Sequence, residues 1–244
     1  MMGEANTYLE VSNIKLQGIM PVTMLDWKSR VACTLFMGGC NFRCPFCQNP
    51  ELVLGPDKNP FISWNKVKNH LENKRKWLDG VVITGGEPTI NNGLKDFLSM
   101  LKTMGYPTKL DTNGTRPRVL SRLIKEKLVD YIAMDVKSNF NNYSKAAGVP
   151  VDIEKIKESI HLITKSEINH EFRTTVVPGF ADESNVFEIA GYLGEQNAQH
   201  YYLQQFNSTI TLDPELMKLE PLKKEILLNL TEKCRRFLPT ELRG

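Results

Sequence analysis

Three cysteines, Cys40, Cys44 and Cys47, fall within eight consecutive residues of this sequence. Several cysteine thiolates close together in one short loop are typical of the ligands of a metal centre. Structural zinc sites usually take four ligands, commonly in two separated pairs. A 4Fe–4S cluster on three cysteines instead leaves one iron open to a substrate. The spacing therefore favours an iron–sulfur cluster that takes part in chemistry, and a zinc-binding loop or a chance group of reduced thiols is the alternative.

The other two cysteines are poorly placed to complete such a site. Cys33 lies within a predicted strand, and Cys234 is nearly two hundred residues from the loop, so we expect both to be small buried apolar residues. Phe42 and Phe46, inside the loop, would shield a cluster and help to set its potential. The sequence has no second cysteine group that could hold a further cluster.

Short apolar runs alternate with amphipathic stretches along the chain. The runs predict six strands, at 31–37, 80–84, 108–111, 131–135, 170–177 and 200–204. The stretches between them predict helices at 63–78, 93–104, 118–127, 152–166 and 183–194, with one more at about 221–238. This alternation predicts a single α/β domain over 1–244, with parallel strands and right-handed crossovers. Six strands are too few to close a barrel, so we expect a partial barrel over about 18–206, with an open side and a helical extension over 207–244.

Function gathers at the carboxyl ends of the strands in such a sheet. The candidate residues at those ends are Gly85, Gly86, Glu87, Asp111, Asn113, Asp135, Lys137 and Val177. Paired acidic residues at neighbouring strand ends could bind a cation or neutralise a cationic ligand. Arg173 lies inside a predicted strand, and a buried arginine needs a partner. It is therefore either paired within the protein or directed at the carboxylate of a ligand.

Plainer interpretations exist for several of these residues. The Gly-Gly-Glu-Pro segment at 85–88 would serve equally well as a strand-to-helix turn. Asp-Thr-Asn-Gly at 111–114 is good turn chemistry without any function. The basic stretch at 66–76 is most simply a solvated helix face, and it could instead dock an acidic electron donor.

The combined motifs resemble a known superfamily. CxxxCxxC with an aromatic residue before the last cysteine, followed after the next strand by GGEP, is similar to the radical S-adenosylmethionine (SAM) superfamily. Residues 18–27, leading into GGCNFRCPFCQNPEL, resemble the activating enzymes of glycyl radical enzymes, and above all those of anaerobic (class III) ribonucleoside-triphosphate reductases. The similarity extends over about 18–206 and includes DTNG, MDVK and LQQF.

This resemblance implies a partial (β/α)6 radical SAM barrel and a specific reaction. An electron from flavodoxin or ferredoxin would cleave SAM into methionine and a 5′-deoxyadenosyl radical, which takes hydrogen from a backbone glycine of a partner enzyme. The implied partner is the anaerobic ribonucleotide reductase. The open side of a partial barrel would admit a protein loop that carries the glycine. The alternative is an enzyme that acts on a small molecule, similar to 7-carboxy-7-deazaguanine synthase.

The resemblance also implies roles for individual residues. Glu87 and the backbone of Gly85 and Gly86 would hold the methionine amino group. Asp111 and Asp135 would hold a monovalent cation beside the SAM carboxylate. The further SAM-site residues implied are Phe46, Asn113, Lys137, Arg173 and Val177, with Val177 against the adenine.

Composition and termini limit the other possibilities. A net charge of +3 over 244 residues indicates neither nucleic acid nor a membrane surface as an obligatory partner. Residues 1–13 lack the basic start and apolar run of a secretion signal. No stretch approaches the ~20 apolar residues of a membrane helix. We therefore expect a cytoplasmic protein.

Overall fold

The protein is described by a computed structural model over residues 14–55 and 60–243. Residues 1–13, on which the expectation of no secretion signal rests, lie outside the described residues. The described part has an α/β fold, as predicted, in which eight strands follow chain order in one sheet that is not closed. No helix among these residues is long and apolar enough to cross a membrane.

All six predicted strands are present, and two further strands were not predicted. The strands are β1 (Leu16–Thr23), β2 (Ala32–Met37), β3 (Gly80–Gly85), β4 (Thr108–Thr112), β5 (Tyr131–Asp135), β6 (Asn169–Val176), β7 (Tyr201–Gln205) and β8 (Thr240–Arg243). β1, one of the two strands that were not predicted, pairs antiparallel with β2. The pairs β2–β3, β3–β4, β6–β7 and β7–β8 are parallel.

The predicted helices are present with small shifts in their bounds. The described residues contain α1 (Pro50–Leu54), α2 (Trp64–Asn73), α3 (Leu94–Thr103), α4 (Pro117–Lys125), α5 (Tyr143–Ala147), α6 (Ile153–Lys165), α7 (Glu183–Glu195) and α8 (Lys224–Cys234). The helix expected at 63–78 already ends at Asn73, because residues 72–77 are all exposed and offer no apolar stripe to pack. The short helices α1 and α5 were not predicted.

The chain divides into two compact units, of which the first comprises the described parts of 14–41, 51–112 and 121–131. In this unit β2 and β3 are almost wholly buried, as expected for continuous apolar strands in a parallel sheet. Helix α3 buries Phe97, whose ring packs edge-on against Trp64 of α2 with centroids 5.4 Å apart. The packing holds the carboxyl ends of β2, β3 and β4 in fixed positions.

The second unit comprises residues 42–50, 113–120 and 132–243. Helix α6 buries Ile156, Ile160 and Ile163, which lie along one face of the helix. The expected helical extension over 207–244 needs a correction. It contains α8 as predicted, but it ends in β8, which pairs with β7 and so extends the sheet.

Candidate active site

The turn after β2 and the turn after β3 pack backbone against backbone in the first unit. Gly86 N donates to Met37 O, and Glu87 N donates to Gly39 O, each over 2.8 Å. A Cβ atom at Gly86 would lie only 1.9 Å from Gly39 O and 3.2 Å from Cys40 Cβ. Gly85 has a φ of +125°, which favours glycine. The close packing of the turn that leads into the cysteine loop therefore requires glycine at both positions, whatever contacts they make with a ligand.

Glu87 joins the ends of two strands. Its side chain is 1% exposed, and Oε1 accepts hydrogen bonds from Thr89 N over 3.0 Å, from Thr89 Oγ1, and from Thr112 Oγ1 over 2.8 Å. Glu87 also caps the 3-10 helix Pro88–Ile90. The Gly-Gly-Glu-Pro segment thus forms a turn, and the contact of Glu87 with the methionine amino group of SAM stays a prediction.

Asp111 lies within β4 and not in a turn. Lys109, on the same face of that strand, is almost fully buried, and its Nζ lies 3.8 Å from Asp111 Oδ1 and donates to Asp26 O over 2.6 Å. The turn begins at Asn113, whose Oδ1 accepts from both N and Oγ1 of Thr115. The Asn113 side chain is therefore used in the turn, and the ligand roles of Asp111 and Asn113 remain predictions.

In the second unit, helix α5 braces the cysteine loop. Arg43 N donates to Ala147 O over 2.8 Å, and Gly148, with a φ of +67°, ends the helix against the Arg43 carbonyl. A Cβ atom at Gly148 would lie 2.0 Å from Arg43 O. The loop then makes its own turn, in which Cys47 N donates to Cys44 O over 3.0 Å.

Both aromatic residues of the loop are buried against other rings. Phe42 packs edge-on against Tyr143 of α5, with centroids 6.4 Å apart. Phe46 packs in the same way against Phe180, at 5.7 Å. Phe42 and Phe46 are thus fixed by ring contacts, and their shielding of a cluster stays a prediction.

Asp135 and Lys137 follow β5 and meet Arg173 of β6. Lys137 Nζ lies 3.1 Å from Asp135 Oδ2, and Arg173 Nε donates to Asp135 Oδ1 over 2.8 Å. Both carboxylate oxygens therefore face a cationic group. The alternative in which Arg173 is paired within the protein is the one that the structure shows, and the three side chains together carry one excess positive charge.

The pKa values of this group follow from its pairing. Burial by itself would raise the pKa of Asp135, but the charges and hydrogen bonds of Arg173 and Lys137 outweigh burial and hold that pKa well below its usual range. Burial would lower the pKa of Lys137, yet the negative charges of Asp135 and Cys44 raise it above its usual range. The Lys137 ammonium and the Cys44 side chain are therefore close enough to interact electrostatically.

Val177 is fully buried directly after β6 and sets a turn. Its carbonyl accepts from Phe180 N over 3.0 Å and from Ala181 N over 2.9 Å, which places the Phe180 ring on Phe46. The structure thus gives Val177 a part in positioning the aromatic cover of the loop. Its contact with adenine remains a prediction.

The C-terminal extension also contacts the loop, which the sequence did not predict. Asp213 N donates to Pro45 O over 2.9 Å, and Gln48 Nε2 donates to Asn207 O over 3.3 Å. No sequence signal could have found these contacts, since each joins groups more than 150 residues apart. The packing of Tyr143 on Phe42 could not be predicted from the sequence either, although Ala-Ala-Gly at 146–148 is a recognisable helix end.

The last three residues of the basic stretch lie at the opposite end of the β2–β3 pair from Cys40. Lys74, Arg75 and Lys76 are exposed just before β3 begins, whereas Cys40 follows the end of β2. These strands are parallel and pair residue for residue over six positions, so the two features are separated by about 20 Å of strand. Arg75 is also engaged, because it donates to Gly105 O. Residues 74–76 are thus distant from Cys40, and the docking of an electron donor on the stretch, which also includes Lys66 and Lys68, stays a prediction.

The donor set fits a cubane cluster better than a zinc ion. None of the five cysteines, all of which lie within the described residues, forms a disulfide, and burial raises the pKa of Cys33 and of Cys234 to about 12, so these two stay inert thiols. In the described part of the chain, no three His, Cys, Asp or Glu side chains are arranged around a single metal ion. A cubane binds each of its three cysteines at a different iron, so one loop with three thiols offers the right number of donors. The role of Cys40, Cys44 and Cys47 as cluster ligands stays a prediction.

The sequence profile of the Radical SAM superfamily matches residues 34–188. A Methanocaldococcus jannaschii protein assigned as a glycyl-radical enzyme activating enzyme is 34% identical over 215 residues, which cover 86% of this chain and 87% of that protein. A 7-carboxy-7-deazaguanine synthase from Aquifex aeolicus is 39% identical over 80 residues, about a third of each chain. Among solved structures, a radical SAM methyltransferase from Sphaerobacter thermophilus aligns with a TM-score of 0.68 at 17% identity, covering 89% of this chain and 67% of that one.

These findings define an enzyme of the radical SAM class, whose members hold a 4Fe–4S cluster and SAM. The chain belongs to the radical SAM superfamily and, within it, to the family of glycyl-radical enzyme activating enzymes.

Proposed function

We propose that this enzyme holds its cluster on Cys40, Cys44 and Cys47 and activates an anaerobic ribonucleoside-triphosphate reductase by forming a glycyl radical on it. The observation that carries the proposal is the cysteine loop, braced by α5 and adjoined by a group with excess positive charge. The resemblance of residues 18–27 to the reductase activases supports this partner.

A bound cluster, reduced by a low-potential donor such as flavodoxin or ferredoxin, would supply the electron that splits SAM into methionine and a 5′-deoxyadenosyl radical. The chain's own residues bind and orient SAM. Lys137 and Arg173, held by Asp135, present positive charge to the SAM carboxylate, and Glu87 accepts the methionine ammonium. Phe42 and Phe46 exclude water from the loop. The radical then takes one hydrogen atom from a glycine Cα of the partner, which yields 5′-deoxyadenosine and the glycyl radical.

The test is electron paramagnetic resonance of anaerobically reconstituted enzyme with SAM, dithionite and a class III reductase, with 5′-deoxyadenosine measured in the same tube. We expect a glycyl doublet on the reductase and about one deoxyadenosine per radical. Cys44→Ala should lose both signals together with the bound iron. Cys234→Ala is the matched control and should keep them. A Cys44→Ala enzyme with full cluster content would refute the ligand assignment.

The match to 7-carboxy-7-deazaguanine synthase supports a second candidate, a radical SAM enzyme with a small heterocyclic substrate. In that case deoxyadenosine formation would depend on the heterocycle and would ignore the reductase. Deoxyadenosine without a glycyl doublet would favour this candidate or a different glycyl radical enzyme.

A further inference from the structure

The last strand of the protein carries an arginine that is paired with a buried carboxylate. Arg243 of β8 donates from Nη1 to Glu171 Oε1 and from Nη2 to Glu171 Oε2, each over 2.8 Å. Glu171, on β6, is 1% exposed. The Arg243 guanidinium also lies 3.3 Å above the centre of the Tyr202 ring on β7. A two-pronged pair stacked on a ring fixes both side chains more firmly than a single contact would.

This pair adjoins the Arg173 site through a shared atom. Arg173 Nη1 lies 4.0 Å from Glu171 Oε1, the oxygen that accepts from Arg243. Glu171 and Arg173 are two residues apart on β6 and so share one face of the strand. Arg173 is paired in register with Tyr202, which places the ring under Arg243 on that face too. Arg173 is therefore situated between two carboxylates, Asp135 and Glu171.

A buried carboxylate draws any cation within reach, because an unpaired charge in the interior is costly. Without Arg243, Glu171 would compete with Asp135 for Arg173. The charge balance would change as well. Lys137, Arg173 and Arg243 face Asp135 and Glu171, which leaves one positive charge in excess. Removal of Arg243 would cancel that excess.

We propose that Arg243 is a positioning residue for the SAM site, because its pairing with Glu171 keeps Arg173 on Asp135 and preserves the positive charge that holds the SAM carboxylate. The inference rests on the proposed function of the Asp135, Lys137 and Arg173 group. Arg243 lies beyond residue 188, where the match to the superfamily ends.

The experiment measures the dissociation constant of SAM by calorimetry on the reconstituted enzyme. Arg243→Met should weaken SAM binding at least about tenfold, the effect of losing one hydrogen bond between charged groups, with unchanged iron content. The double variant Glu171→Gln/Arg243→Met removes the competing carboxylate and restores the charge excess. It should bind SAM within about threefold of the natural enzyme, a coupling that contacting pairs show in double-mutant cycles. Arg236→Met, which removes an exposed arginine from the same segment, is the matched control and should bind as the natural enzyme does.

A second readout follows Arg173 itself. The ¹⁵N–¹H signal of its Nε group, assigned with an Arg173→Lys variant, should shift in Arg243→Met and return in the double variant. A purely structural role of β8 would lower the melting temperature of both variants and move neither SAM affinity nor this signal.

The outcomes separate the two proposals. If the natural enzyme binds SAM and Arg243→Met binds it equally well, this inference is overturned and the proposed function is not. Weak binding that persists in the double variant also overturns it, since Glu171 would then not be the means by which Arg243 acts. If the natural enzyme holds a full cluster and does not bind SAM, the proposed function is overturned, and this inference is overturned with it.

Discussion

Replacement of Gly86 by alanine tests whether the glycines after β3 serve the cysteine turn. The new Cβ atom would lie 1.9 Å from Gly39 O, whereas ordinary contact begins at 3.4 Å. One of the two backbones must therefore move by about 1.5 Å, and overpacking of this kind costs about 1–3 kcal/mol. The movement would also weaken the hydrogen bonds from Gly86 N and Glu87 N, each worth about 0.5–1.5 kcal/mol.

We therefore expect Gly86→Ala to lower the free energy of unfolding by about 3 kcal/mol. For a chain of this length, that corresponds to a fall in melting temperature of about 6–12 °C. Urea denaturation of the apoprotein under reducing conditions measures this loss without any ligand. After reconstitution, the iron content should fall too, because Cys40 follows Gly39 directly.

Gly191→Ala is the matched control. Gly191 lies within α7, and the nearest atoms to a Cβ there, on Phe237, are 3.9 Å away. This substitution should leave stability unchanged or raise it by up to about 1 kcal/mol, because alanine favours the helix. A Gly86→Ala protein as stable as the natural one, with full iron content, would show that the two turns do not depend on this close approach.

Three further predictions follow from the site. The pKa of Asp135 is lower in the folded than in the unfolded protein, so its stabilisation is complete well above the unfolded value of about 3.9 and is lost as the pH falls from there towards the folded value. The difference in urea stability between natural enzyme and Asp135→Asn should thus be largest at pH 6 and shrink steadily as the pH falls below about 4, and a constant difference would contradict the pairing. Because burial raises the pKa of Cys33 and Cys234 to about 12, iodoacetamide at pH 8 should leave both unmodified in folded apoprotein and alkylate them in urea, as peptide mass spectrometry would show. Lys74→Glu/Lys76→Glu should not change the rate at which flavodoxin reduces the cluster, because these residues lie at the opposite end of β3 from Cys40, about 20 Å away along the strand. A several-fold slower rate would show that the electron donor does bind near residues 74–76.

The buried strands could be predicted from the sequence because of where they lie. In parallel sheets covered on both faces, strands are continuous apolar runs, and β2 and β3 have that pattern. The two missed strands lack it. β1 contains Gly18 and Pro21 and is largely exposed, and β8 has four residues, two of them charged. Their structure comes from pairing with β2 and β7, which no local propensity encodes.

The site shows the same division between local and distant contacts. Asp135 and Lys137 are two residues apart at one strand end, so their proximity follows from the sequence alone. The cysteine loop is equally local. The pairing of Glu171 with Arg243 spans 72 residues, and the bracing of Arg43 by Gly148 spans more than a hundred. Such contacts depend on the register of strands and on the path of α5, which a single sequence does not specify.

These distant contacts bear on what distinguishes one radical SAM enzyme from another. The superfamily profile ends at residue 188, before β7, β8 and the segment that bonds to Pro45. Proteins similar to this chain carry names as different as an activating enzyme and a deazaguanine synthase. A shared cysteine loop cannot account for that difference in substrate. The residues after 188 reach both the loop, through Asn207 and Asp213, and the charged group, through Arg243. They can therefore adjust the site without changing the residues that define the superfamily, which makes them the part of the chain where substrate choice should be sought.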